Sequence, residues 1–121
     1  MVERLPPDVE AKYNKYMQIR ETLNAISQER VVLEGSIAEI DAIIEKIKEA
    51  GDDAELYKMA GFILVKSSKE AVLKELEEKR ENLEVRLRAV KSQEESMTSE
   101  LRRLEEEIKR ALGGKPAGGA G

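Results

Sequence analysis

A chain of 121 residues with net charge −4, 38% charged side chains and only 3% aromatics has the balance of long solvated helices, not of a broad globular core. With no Cys and no His it offers no thiol nucleophile, zinc cluster, Ser-His-Asp triad or disulfide framework, which points away from catalysis and secretion and toward a cytoplasmic protein. No apolar run approaches the roughly 18 residues of a membrane span, and Lys and Arg are interspersed with Asp and Glu, so neither membrane nor nucleic acid is an expected partner.

Leu5-Pro6-Pro7-Asp8 reads as a helix start, because proline is tolerated in the first turn and an acid there complements the helix dipole. With Tyr16 as position a, a heptad seam follows through Leu5, Val9, Tyr16, Ile19, Leu23, Ile26, Leu33, Ile37, Ile40, Ile44 and Ile47, interrupted by Lys12 and Arg30. Gly35 falls on an outward position, where it weakens the helix by about 1 kcal/mol without opening the seam. Ala50-Gly51-Asp52-Asp53 supplies the stop, so the first helix is expected over about 7–50.

Residues 54–66, AELYKMAGFILVK, hold the only Phe and a run of strand-favouring residues, and are read as a β-hairpin. Gly61 must lie at the turn. A type I turn at Met59-Ala60 with Gly61 in a bulge fits better than a two-residue type I′ turn, which leaves the strand register open by one residue.

Ser67-Ser68-Lys69-Glu70 then offers a capping box, with Ser67 as N-cap. A second helix over about 68–112 carries the seam Leu73, Leu76, Leu83, Leu87, Val90, Met97, Leu101, Leu104, Ile108 and Ala111, interrupted by Arg80 and Glu94. Gly113-Gly114 stops it, and 113–121 form a small, flexible tail outside the single domain of residues 1–112.

Antiparallel helices joined at one end pair residues whose numbers sum to a constant, and one register aligns every layer, from Ile47 with Leu73 to Val9 with Ala111. A parallel homodimer of each helix is the competing reading; the short connection and matched helix lengths favour pairing within the chain. The fold expected is therefore mainly α, an antiparallel two-helix coiled coil joined by one β-hairpin.

In either register Leu56, Tyr57, Met59, Phe62, Ile63, Leu64 and Val65 place large apolar groups on both hairpin faces. An isolated two-stranded hairpin is marginal in water, and two helices offer little to cover it. These seven residues are the expected oligomerisation surface, with hairpins of several chains pairing edge to edge into a sheet or barrel. The blander reading is a hairpin that caps the coil. Ile43, Ala50 and Val72, apolar and off the seam, either brace such a platform or are scattered surface residues.

The segment Glu55-Leu56-Tyr57-Lys58-Met59-Ala60-Gly61, followed by Leu64-Val65-Lys66 and flanked by helices of matching length, resembles the beta subunits of archaeal prefoldin. The resemblance covers residues 5–112, and space for one hairpin separates the chain from the alpha type, which carries two. It implies a hexamer of two alpha and four beta subunits, with hairpins joined into a β-barrel platform. It further implies an ATP-independent holdase that binds non-native proteins and delivers them to a group II chaperonin. Abundant Glu, Lys and Arg with few Asn and Gln also resemble proteins of hot environments.

Away from the hairpin the seam loosens, at residues 5–20 and 100–112. Fraying there would expose Leu5, Val9, Tyr13, Tyr16, Leu104, Ile108 and Leu112, which are assigned to client binding on the strength of the resemblance; the alternative is that they close the seam. No phosphate-cradling glycine loop is present, and no catalytic, cofactor or metal residue is assigned. Two other functions compete: a structural coiled-coil adaptor and a homomeric prefoldin-like filament subunit.

Overall fold

In the computed structural model, which describes residues 5–113, two long helices flank one hairpin in the order α1 (Pro7–Glu49), β1 (Leu56–Ala60), β2 (Ile63–Ser67) and α2 (Lys69–Gly113). Of the expected flexible tail, 113–121, Gly113 instead closes α2, and residues 114–121 lie outside the described residues. The chain forms two compact units, one combining α1 up to Glu29 with α2 from Val90, the other spanning Arg30–Ala89.

Helix α1 begins as its sequence dictates, with Pro7 first and Asp8 and Glu10 in the opening turn, and it closes with Lys46 and Lys48. In the first unit the buried apolar side chains are Val9, Ile26, Val90 and Leu104; in the second they are Leu33, Ile37, Ile40, Ile44 and Leu87. All are predicted seam positions, so the 3.5-residue period is the core. At about 1.5–3 kcal/mol for each fully buried aliphatic side chain, this stripe supplies most of the stabilisation available to two paired helices.

Three of the polar interruptions of the seam, Arg30, Arg80 and Glu94, are met by neighbours. Ser27 donates to Glu94 at 2.6 Å, and Arg30 pairs with Glu34 one turn on at 2.8 Å. Arg80 grips Asp41 with two nitrogens, Nη2 at 3.2 Å, and reaches Glu84 at 3.3 Å. Lys15 and Glu100 add a cross-helix pair at 3.4 Å in the first unit. These partners lie within a few residues of the antiparallel register read from the heptads.

Three local readings are corrected. The strands pair Leu56 with Ser67, Tyr57 with Lys66, Lys58 with Val65, Met59 with Leu64 and Ala60 with Ile63, so the turn is Gly61-Phe62, without a bulge at Met59-Ala60. Gly61 takes φ +64° and, among the described residues, no non-glycine residue has positive φ, the pattern of a type II′ turn, whose twist matches the strands and needs glycine only at its first central position. Ser67 is consumed by β2, and Ser68 instead caps α2, its Oγ accepting from the Ala71 amide at 3.1 Å.

The third correction concerns the end of α1. Gly51 does not adopt the left-handed conformation of a glycine stop. Lys69 of α2 instead donates to the Ala50 carbonyl at 2.8 Å and the Lys48 carbonyl at 3.3 Å, and its ammonium lies 3.6 Å from Asp52. A cation on the last carbonyls of a helix satisfies orphan acceptors and opposes the dipole.

Candidate functional site

Two regions carry the residues that sequence reasoning singled out, one in each unit. In the second unit, the pairing sorts the hairpin into two faces. Tyr57 and Lys66 share one face with Met59 and Leu64; Leu56, Lys58, Ala60, Ile63, Val65 and Ser67 make the other. The second face leans toward α2. Lys58 forms an ion pair with Glu75 at 3.0 Å, Leu56 is half-buried, and Val65 is less exposed than its neighbours on the strand. A groove between β1 and α2 is lined by Met59, Val72 and Leu76, with Lys58, Glu75 and Lys79 at its margins. Of the off-seam apolar residues, Val72 therefore meets the hairpin, Ala50 is half-buried and Ile43 is exposed.

The first face is more open, although Met59 also borders that groove. Met59 is 69% exposed, Leu64 64% and Tyr57 54%, while Ile63 near the turn is also open and Phe62 at the turn is fully exposed. Tyr57 donates to Glu55 at 3.0 Å, and Glu55 also lies 3.7 Å from Lys66, so polar contacts fix the ring's edge but hide none of its face. Both strands are edge strands, with one row each of unpaired amides and carbonyls. Six of the seven expected oligomerisation residues are thus exposed beside two open edges, Tyr57, Met59 and Leu64 on the first face, Phe62 at the turn and Ile63 and Val65 on the second, and Leu56 alone is half-buried.

In the first unit, the helix ends stay paired. Val9 and Leu104 are buried at 2% and 3% exposure, Tyr16 and Ile108 are half-buried, and Leu5, Tyr13 and Leu112 are exposed. The Tyr13 and Tyr16 rings stack with centroids 6.5 Å apart. With Ile108 they line a cavity of 190 Å³, and an ion pair between Lys109 and Glu105, at 3.3 Å, stands at its rim. Val9 and Leu104 hold the ends closed while the remaining five present apolar surface. That arrangement can receive an apolar side chain without any opening of the coil.

Sequence reasoning missed a second groove in this unit, where Ser27, Lys91, Glu94, Glu95, Thr98 and Arg102 meet over Leu23. Apart from the seam positions Leu23 and Glu94 its residues are polar and off the seam, so the paired register is what brings them together. Among the described residues no group of three or more Asp or Glu is arranged to hold a metal, and no helix is long and apolar enough to cross a membrane.

Comparison with known proteins places these features. The sequence pattern of the family described as "Prefoldin subunit" matches residues 10–115. The chain is 36% identical over 112 residues to a prefoldin subunit beta of Saccharolobus islandicus, covering 93% of this chain and 89% of that protein. It is 33% identical to prefoldin subunit beta of Sulfolobus acidocaldarius, with 93% and 90% covered. The crystal structure of the prefoldin beta subunit from Thermococcus strain KS-1 superimposes with a TM-score of 0.86 at 32% identity, covering 92% of this chain and 97% of that one.

Proposed function

The chain belongs to the prefoldin family as a beta-type chaperone subunit, and from that premise we propose that it acts as an ATP-independent holdase in a hexamer with two alpha-type and four beta-type subunits. Its hairpin surface is the assembly face, and the observation that carries this reading is the exposure of Tyr57, Met59 and Leu64 on one hairpin face, with Phe62 and Ile63 open at and beside the turn, along two free strand edges. Helix ends bearing Leu5, Tyr13, Tyr16, Ile108 and Leu112 hold non-native polypeptide by several weak apolar contacts at once, and Val9 and Leu104 support them from the seam. Bound clients pass to a group II chaperonin in the cytoplasm. Holding of this kind uses no catalytic residue and no cofactor.

A chain cut back to residues 21–100 tests the division of labour. It is expected to assemble with an alpha-type partner and to fail in suppressing aggregation of a denatured test protein; full suppression would remove the helix ends from the mechanism. Mixing the intact chain with an alpha-type partner and weighing the product by light scattering separates a closed hexamer from an open homomeric filament. A structural adaptor predicts instead one stoichiometric native partner.

A further inference from the structure

Two of the chain's four aromatic side chains, Tyr13 and Tyr16, line one hollow, and that hollow lies wholly within the first unit. Set three residues apart, about one turn of α1, the two rings form an offset stack with centroids 6.5 Å apart and planes inclined by 21°. Ile108 joins them from α2; in the register read from the heptads it shares its layer with Lys12, not with a branched apolar residue, and it is left half-buried. Closing the seam does not call for rings. Every other apolar seam position in the two helices is Leu, Ile, Val, Met or Ala, Tyr16 is only half-buried in its place, and Tyr13 stands off the seam and exposed.

Size and chemistry narrow the occupant. The hollow measures 190 Å³, and an apolar cavity of about 150 Å³ is enough to take up benzene, so one six-membered ring fits. Glu105 and Lys109 at the rim are paired with each other at 3.3 Å, which leaves no net charge there to recruit an anion or a cation. Burial by itself rewards any apolar side chain in proportion to its area. The stack separates them: a further ring laid offset or edge-on against the tyrosines gains about 2- to 10-fold in affinity over a saturated group of the same size.

We propose that the hollow of Tyr13, Tyr16 and Ile108 is an aromatic-selective anchor, which takes one phenyl side chain of a non-native segment in preference to an aliphatic side chain of equal size. The proposal rests on the reading that clients bind at the helix ends and adds the class of side chain recognised there. Such a preference sharpens the choice of client. Phe is among the residues most often fully buried in folded proteins, and aromatic side chains dominate core burial, so a phenyl ring in water marks a chain that has lost its core.

The test uses the intact chain assembled with its alpha-type partner, Gly-Ser peptides carrying one Phe or one cyclohexylalanine, and the methyl NMR signals of Ile108 as a local reporter. Cyclohexylalanine keeps a six-membered ring and is more apolar, but has no π face. The Phe peptide is expected to move the Ile108 signals and to bind about 2- to 10-fold tighter than the cyclohexylalanine peptide. In Tyr13→Leu/Tyr16→Leu, which puts a good helix former at both positions and keeps the seam apolar, the two peptides should bind alike. Equal or tighter binding of cyclohexylalanine by the parent, or a preference for Phe that survives the double substitution, overturns the proposal and leaves binding at the ends intact. Affinity for Phe that rises when residues 1–4 are removed, or when the subunit is diluted, assigns the hollow to the chain's own end or to a second copy and likewise overturns it. Ile108 signals that stay still with both peptides overturn it too, and equal suppression of aggregation by the parent and Tyr13→Asp overturns the reading of the ends as well.

Discussion

Met59 and Leu64 face each other directly across the hairpin and retain 69% and 64% exposure, so replacing both with Thr is the sharpest probe of the assembly face. Threonine, being β-branched, favours strands while removing most of the apolar surface. Full burial of each side chain is worth about 1.5–3 kcal/mol, and about two thirds of that is still unrealised in the single chain. Burial against a neighbouring hairpin, as proposed, is therefore expected to yield roughly 2–4 kcal/mol from the pair at each contact, or about 30- to 700-fold in association constant. Within one chain the lost contacts are few, and the helical melt should shift by no more than about 0.5 kcal/mol. Sedimentation velocity across nanomolar to micromolar concentrations, with and without an alpha-type partner, measures the first quantity; circular dichroism at 222 nm measures the second. An association midpoint equal to the parent's, in a variant whose helices melt normally, refutes the claim that these residues are buried by sister subunits.

Three further outcomes follow from local geometry. Lys69→Met removes the cation from the Lys48 and Ala50 carbonyls and should cost about 1 kcal/mol in urea unfolding, with faster amide exchange at the start of the loop after α1. Hydrogen bonds from Arg80 hold the Asp41 carboxyl below the usual carboxylate range. A depressed carboxylate stabilises the fold above its unfolded value of about 4 and loses that contribution as pH falls through the folded value, so the difference in urea midpoint between the parent and Asp41→Asn should be present at pH 7 and shrink to nothing in stronger acid. Gly61→Ala meets no atom within 4 Å but forces a side chain to φ +64°, which should weaken the hairpin by about 1–2 kcal/mol as read by exchange of the strand amides, with Gly61→Asn losing less.

The coil was legible in the sequence because its core is one-dimensional: a period of 3.5 residues names the buried positions, and Val9, Ile26, Leu33, Ile37, Ile40, Ile44, Leu87, Val90 and Leu104 are all among them. Local choices between near-equals were not. Ser67 and Ser68 are equally good caps, and only the pairing of Ser67 with Leu56 decides for Ser68. The Gly-X signature of a II′ turn was present at Gly61-Phe62, but a bulge at the same glycine satisfies the same residues. Lys69 reads as an ill-placed cation at a helix start until the carbonyls of α1, some twenty residues back, arrive beside it. Glu94 stood out as a break in the seam, but Ser27 looks like an ordinary polar residue until the chain folds back on itself and brings the two together.

Lys69 sews the exit of α1 to the entrance of α2, and the hairpin projects beyond that stitch on two short connectors. An unrelated β-ribbon grafted between Asp53 and Ser68 is therefore expected to keep the Lys69 contacts to α1 and to lose the Lys58 ion pair with Glu75, leaving the junction joined while the surface beyond it is exchanged.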